Sequence, residues 1–328
     1  MKDIIIIDKA VRQLKGQLHL HTSRSPDCKQ DYHQVLDEYR SKGYDFCLMT
    51  DHEVYWDSKE CDRDDFLVLS GVENAFLPNV EHVFSLDYKT KRQMHFNLIK
   101  DITIENDSFF THGDIMQRPV DYGLDSWNDQ IRFYQMHGQL VIFNHPSWSR
   151  VDSEMVLATK GCVAFEVWNN ASVKSTGVCS DEELWDYCLS RGRRIRAVAT
   201  DDAHLYGEGN VECGGGFTFV LTSDFSKKGI VRAIKQGNFY ASTGPQILDL
   251  RIVDGTLEIH CTPVCAIRVI CSHVVIEEIT AKQGSTIQQA TWRIDETLDY
   301  FRIELLDAEA HTAWSQPVFI DDWYLNRA

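Results

Sequence analysis

The chain has 328 residues, 43% of them hydrophobic and 25% charged, with 7 prolines; this suggests two domains, or one large barrel with an appendage, and excludes disordered, collagenous and membrane-spanning classes. A net charge of −16 argues against coating a nucleic-acid polymer or docking on an anionic membrane, because phosphate surfaces need a basic counter-surface. A small-molecule substrate is the expected partner, and an acidic one needs local positive charge such as metal ions.

The start, MKDIIIIDKAVRQLKG, is too short in apolar residues for a secretory h-region and has no small-residue cleavage site, so the cytoplasm is the expected location. From Gly16 to about Pro245 short apolar runs alternate with longer amphipathic stretches, the pattern of an α/β protein. Strands are predicted over 18–21, 46–49, 67–69, 140–143, 163–167 and 195–199, and helices over 32–41, 125–137 and 180–191. Asp181 and Glu182 suit the start of the last helix, and Gly192 its end; Gly43 and Gly138 close the other two. After Gly244-Pro245 the texture changes to strand alternation. Leu248, Leu250 and Ile252, an Asp254-Gly255 turn, then Leu257, Ile259 and Cys261 predict a hairpin. Further β runs are predicted over 266–271, 287–294, 300–306 and 317–320. Residues 1–245 therefore read as an α/β domain and 246–328 as a small antiparallel β domain. The 10 cysteines form no CxxC pair and read as reduced, mostly buried thiols.

The chemistry sits at strand ends. His19 and His21, at i and i+2 in Gln17-Leu18-His19-Leu20-His21-Thr22, share one face of a strand and can reach one cation. Asp27, Thr50-Asp51-His52, Gly71-Val72-Glu73, Asn144-His145-Pro146 and Asp201-Asp202-Ala203-His204 each follow an apolar run, and in an α/β barrel such ends converge on one face. Imidazole and carboxylate in this number suit two or three ions of Zn, Mn or Fe, and not Ca or Mg, which favour all-oxygen surroundings.

HLHT, TDH, GVE, NHP and DAH, in that order, resemble the PHP (polymerase and histidinol phosphatase) superfamily of metal-dependent hydrolases. KGQLHLHTSRSPD, GYDFCLMTDH, FNHPSWS and GNFYASTGP look like its CehA/McbA-like branch, across roughly residues 14–245. The resemblance implies a distorted (β/α)7 TIM-like barrel, the PHP fold, with a di- or trinuclear centre of divalent Mn, Fe or Zn. By the same resemblance His19, His21, Glu73 and Asp202 hold a first ion, and Glu73 bridges to a second. His145 and one further histidine complete the second, His95 being preferred over His82. Asp27, His52 and His204 hold a third. Gln17 stands where the superfamily usually has Asp, which puts outer hydrogen bonding to an imidazole in question.

The expected activity is a metal-dependent phosphoesterase cleaving a small, nucleotide-like phosphomonoester or diester. Water shared by two cations is lowered in pKa and supplies hydroxide, while the cations neutralise the phosphoryl oxygens. His52, His204 and Asp202 are the candidate catalytic residues. Arg24 and Arg150 are candidate phosphate anchors or exposed loop arginines, Trp148 a pocket wall or a packing residue, and Glu166 a residue behind the ligands or one facing substrate. The run Arg191, Arg193, Arg194, Arg196 reads as a solvated face, His137 as a helix cap, and His33 and His112 as surface residues. Two alternatives stand beside this reading: a carboxyl or carbamate ester hydrolase with the same centre, and a non-catalytic metal-binding module.

Overall fold

A computed structural model describes residues 3–59, 61–76, 93–118, 123–177 and 180–325. In chain order its elements begin with β1 (Ile4–Ile7), β2 (Gln13–Gln17), α1 (Tyr32–Ser41), β3 (Phe46–Leu48), β4 (Leu67–Leu69), β5 (Gly71–Phe76) and β6 (Met94–Lys100). Then come α2 (Leu124–Met136), β7 (Gln139–Phe143), α3 (Ser153–Ala158), β8 (Ala164–Asn169), α4 (Asn170–Thr176), α5 (Glu182–Leu189), β9 (Arg196–Thr200), β10 (Phe217–Leu221), α6 (Lys227–Gln236) and β11 (Phe239–Ser242). The tail adds β12 (Ile247–Val253), β13 (Thr256–Val264), β14 (Ala266–Cys271), β15 (Val274–Thr280), β16 (Ile287–Arg293), β17 (Tyr300–Leu306), β18 (Thr312–Trp314), β19 (Val318–Phe319) and α7 (Ile320–Leu325). Local chemistry sets the ends. The Asp31 side chain accepts from the His33 N–H to start α1, Ser226 accepts from Gly229 to start α6, and Gly237 ends α6 in the left-handed region, as capping requires.

Two sheets surround one interior. The first runs β4-β3-β2-β10-β11-β18-β17-β14-β15, and the second β5-β6-β7-β8-β9. They meet where β4 turns into β5 at Ser70, and where Thr218 of β10 hydrogen-bonds both the N–H and the carbonyl of Ala199 on β9. Leu14, Leu18, Phe46, Leu48, Leu69, Ile99, Ile142, Ala164, Val198 and Val220 fill the space between, against Ile230 and Ile234 of α6. Each of the forward-running strands thus spends its first residues on this core and delivers its next ones to the rim. The packing is close: a Cβ at Gly16 would overlap the Phe46 ring at 2.0 Å.

The mixed α/β class is as expected, but the ladders do not form one closed ring of parallel strands. Strand β6 is antiparallel to both β5 and β7, and β10 is antiparallel to β2. The first predicted strand also shifts: β2 covers Gln13–Gln17, so His19 and His21 lie beyond its end, where Leu20 makes an isolated parallel bridge to Ala203. The 248–261 hairpin forms as β12 and β13, with partner pairs Leu250↔Ile259 and Ile252↔Leu257. Two ladders cross residue 245: β1 pairs with β12, and β11 with β18. Among the described residues no helix is long and apolar enough to cross a membrane. The described cysteines are free, all buried except the half-buried Cys162 and Cys265; Cys179 lies outside the described residues.

Candidate metal centre

The rim collects its donors from six strand ends. His19 and His21 follow β2, His52 follows β3, Glu73 lies in β5, His145 follows β7, and Asp202 and His204 follow β9. His95 sits near the start of β6 instead. Because β6 runs antiparallel to both neighbours, its amino end is the end at the rim, and the pairs Ala75↔His95 and Phe96↔Phe143 bring it there.

Glu73 is the hub, with no exposed surface. Its Oε1 lies 3.2 Å from His19 Nε2, 3.0 Å from His95 Nδ1 and 3.5 Å from His145 Nε2. Its Oε2 lies 2.9 Å from His52 Nδ1 and 3.3 Å from His21 Nε2. Asp202 Oδ1 is 2.9 Å from His21 Nε2 and 3.1 Å from His19 Nε2. At the outer edge Asp27 Oδ2 stands 3.3 Å from His52 Nε2 and 3.5 Å from His204 Nε2. At this rim three sets of donors are each close enough to share an ion: His19, His21, Glu73, Asp202; His52, Glu73, His95; and His21, His52, His204.

This donor set fits divalent cations on two grounds. His95 Nε2 is buried without a hydrogen-bond partner, and His52 Nδ1 and Glu73 Oε2, though 2.9 Å apart, do not meet in hydrogen-bond geometry, an arrangement that costs free energy unless a further group satisfies it. Several imidazoles also aim the same kind of nitrogen inward while the other nitrogen is held from behind, as metal-ligating histidines require. His19 Nδ1 lies 2.7 Å from Glu166, His21 Nδ1 2.9 Å from Ser25 Oγ, and His145 Nδ1 3.1 Å from Ser149 Oγ. His145 and Asp202 are held at φ 27° and 55°, conformations a non-glycine residue adopts only where surroundings compel it.

The charges reinforce one another. Burial disfavours the His19 cation, but Asp202, Glu73 and Glu166 together raise its pKa well above the usual histidine range. Burial likewise opposes ionisation of Glu73 and Asp202, yet the surrounding imidazoles hold both carboxyls well below their usual range. A divalent ion would take the place of those protons.

The remaining expected site residues divide. Trp148 is half-buried, 4.8 Å from the His145 ring and 5.6 Å from the His95 ring, and lines the cavity. Glu166 is completely buried behind the ligands; besides His19 it accepts from Thr200 Oγ1 and from the His145 backbone N–H. Its substrate-facing alternative is thereby corrected. Arg24 stacks over Trp56 at 4.7 Å and Arg150 is exposed, and neither lines the cavity. Arg24 turns away onto Trp56 although Pro26 and Asp27 of the same loop line the cavity. His82 lies outside the described residues. Gln17 touches no imidazole: its Oε1 accepts from the His19 and Asp201 N–H groups, and its Nε2 donates to Gly216. The carboxylate backing His19 comes from β8 instead. Asp201 is held by the N–H groups of Gly214, Gly215 and Gly216 and by Tyr39, and burial pushes its pKa up to about 7.

Sequence reasoning missed Asn144, which donates to Glu73 Oε1 at 2.7 Å, and Asn169, which donates to Glu166 and Asp202. Asn144 precedes His145 directly, a signal that could have found it. It also missed Arg118, which lines the cavity with Gln93 and Ala75; nothing in its polar loop marks it. The cavity measures ≈ 480 Å³, within the size range of small-molecule sites.

No family model and no curated protein matches the chain at the sequence level. Among solved structures the chain is similar to a two-domain protein containing a predicted PHP-like metal-dependent phosphoesterase from Bacteroides vulgatus. The two are 15% identical with a TM-score of 0.47, over 95% of this chain and 96% of that one.

Proposed function

We propose that the protein is a metal-dependent hydrolase cleaving a small phosphoester, of the PHP type and its CehA/McbA-like branch, acting in the cytoplasm with a barrel domain over 1–245. The observation that carries this reading is the sharing of Glu73 among His19, His21, His52, His95 and His145 while the buried His95 Nε2 has no hydrogen-bond partner. Such a hub suits two or three neighbouring ions of Mn, Fe or Zn. When bound, these would polarise phosphoryl oxygens and lower the pKa of water.

The chain's own residues do the rest. Glu166, Ser25 and Ser149 fix the rings of His19, His21 and His145, so that the centre needs little reorganisation when substrate arrives. Trp148 and Ala75 wall the cavity and exclude water from one side. His52 and His204, both against Asp27 at the open edge, stand where a proton can pass to a leaving oxygen, and Asp202 keeps His21 and His204 in place.

The test is metal stoichiometry after Mn reconstitution, with a His19→Ala/His145→Ala control, followed by a phosphomonoester, phosphodiester and aryl-ester panel. Two or three ions per chain and turnover of a phosphoester are the expected results. Turnover of the aryl ester alone would support the carboxyl-ester hydrolase instead, and less than one ion would overturn both.

A further inference from the structure

The cavity's charge is uneven. Asp27, Glu73 and Asp202 line it, and among its described lining residues Arg118 is the one arginine or lysine. Among the described residues this side chain is pinned from one side. Arg118 Nη2 donates to Glu53 Oε2 at 2.6 Å, its sole hydrogen bond among the described residues. Glu53 itself is nearly buried and built into the fold: its N–H donates to the Glu73 carbonyl at 2.8 Å, its carbonyl accepts from Met116, and its Oε1 accepts from Ala75. It holds φ at 55°. The Arg118 side chain nevertheless remains 44% exposed. An ion pair that open contributes little to stability, whereas the remaining N–H donors of a fixed guanidinium fork are suited to a planar or tetrahedral oxyanion.

Arg118 also lines a second cavity, of ≈ 440 Å³, together with Phe110, Ile115, Met116, Gln117 and Phe133. Ile115 there is 78% exposed and Phe133 41%. One arginine thus stands on the wall between the metal cavity and an open groove of mixed polarity, whose lining also includes Asp114 and Gln130.

Resting on the phosphoester reading and deepening it, we propose that Arg118, held by Glu53, anchors a second oxyanion, carboxylate or phosphate, on the part of the substrate remote from the reacting ester. The substrate is then an elongated dianionic or polyanionic phosphoester whose far end leaves the metal cavity toward the Phe110–Phe133 groove. Specificity comes from the separation of its two anions.

The test is calorimetric binding to the Mn-reconstituted full chain of phosphonoalkanoates of graded chain length, against alkylphosphonates of the same lengths. The expected result is that over a narrow range of lengths the carboxylate tightens binding by about tenfold or more. Arg118→Ala brings the two series together, and Arg118→Lys restores only part of the difference. Bisphosphonates of the same lengths distinguish the source: a larger gain than the carboxylates give identifies a phosphate at the far end, a smaller one a carboxylate. Equal affinity of both series at every length, or a gain that survives in folded Arg118→Ala protein, overturns the inference and leaves the phosphoester reading intact. Failure of every alkylphosphonate to bind overturns that reading and this inference with it.

Discussion

Two buried charge clusters in this molecule use the same acids to opposite ends. At the rim, the only cationic partners of Glu73, Asp202 and Glu166 among the described residues are imidazoles, the rest being neutral donors such as Asn144, Asn169 and Thr200, and His95 Nε2 is buried without a hydrogen-bond partner. Where α5 packs on β17, Arg302 is 2% exposed and grips Asp186 with two bonds, Nε to Oδ1 at 3.1 Å and Nη2 to Oδ2 at 2.8 Å. Its Nη1 donates to Glu304, its guanidinium lies over Trp185, and Trp314 donates to neighbouring Glu182. None of these side chains has an unpartnered buried atom among the described residues. The second cluster carries its own permanent cation and is complete. The first has no lysine or arginine among its paired donors and fits a cation from outside. A buried acid is a ligand candidate when its compensation is missing, not merely when it is buried.

The sharpest break between the clusters should come from removing one inner donor. His19→Ala or Asp202→Ala should lower bound metal by at least one ion per chain, and hydrolysis by more than about 100-fold, above what loss of an outer partner costs. Elemental analysis beside a rate measurement checks both. Retained stoichiometry in both variants would mean the rim cluster is structural, like its counterpart.

Arg302→Ala should do the reverse. Leaving Asp186 buried and unpaired should destabilise the fold by about 3–5 kcal/mol, read by denaturant unfolding, with metal stoichiometry unchanged in the folded protein. A smaller effect is expected from Glu166→Gln, which keeps the shape but weakens the group behind His19: metal affinity should fall about 10–100-fold, measured by competition with a chelator.

The smallest effect is pH-dependent and belongs to the complete cluster. Burial, and then the Glu304 charge, push Glu182 up to about 7, from an ordinary value of 4.5. Between about pH 4.5 and 7 the folded chain therefore keeps a proton that the unfolded chain has lost, so this group's contribution to stability declines as pH rises through that window. Glu182→Gln should flatten that decline by an amount worth about 2–4 °C in Tm. An unchanged slope would show that Glu182 does not hold a proton in that window.

Much of the architecture is legible along the chain because it is set by neighbours in sequence. Helix α1 covers the predicted residues, since Asp31 caps it and apolar spacing of Val35, Leu36 and Tyr39 buries one face. The 248–261 hairpin follows from alternation around Asp254-Gly255. What local pattern misreads is pairing. The tail's β18 joins β11 and the amino-terminal β1 joins β12, because edge strands seek partners wherever the chain supplies them. Short apolar runs such as 94–100 reveal neither their partners nor their direction.

The sequence by itself determined which residue types arrive after apolar runs: imidazoles and carboxylates in HLH, TDH, GVE, NHP and DAH. Tertiary structure alone decided how they are completed. The antiparallel course of β6 puts His95 at the rim, β8 supplies Glu166 behind His19, and the loop after β6 carries Arg118 to the cavity wall. Residue type and spacing are local properties, whereas the compensation of a buried charge depends on groups far apart in sequence: His19 and Glu166 become neighbours only when the sheets enclose their common core.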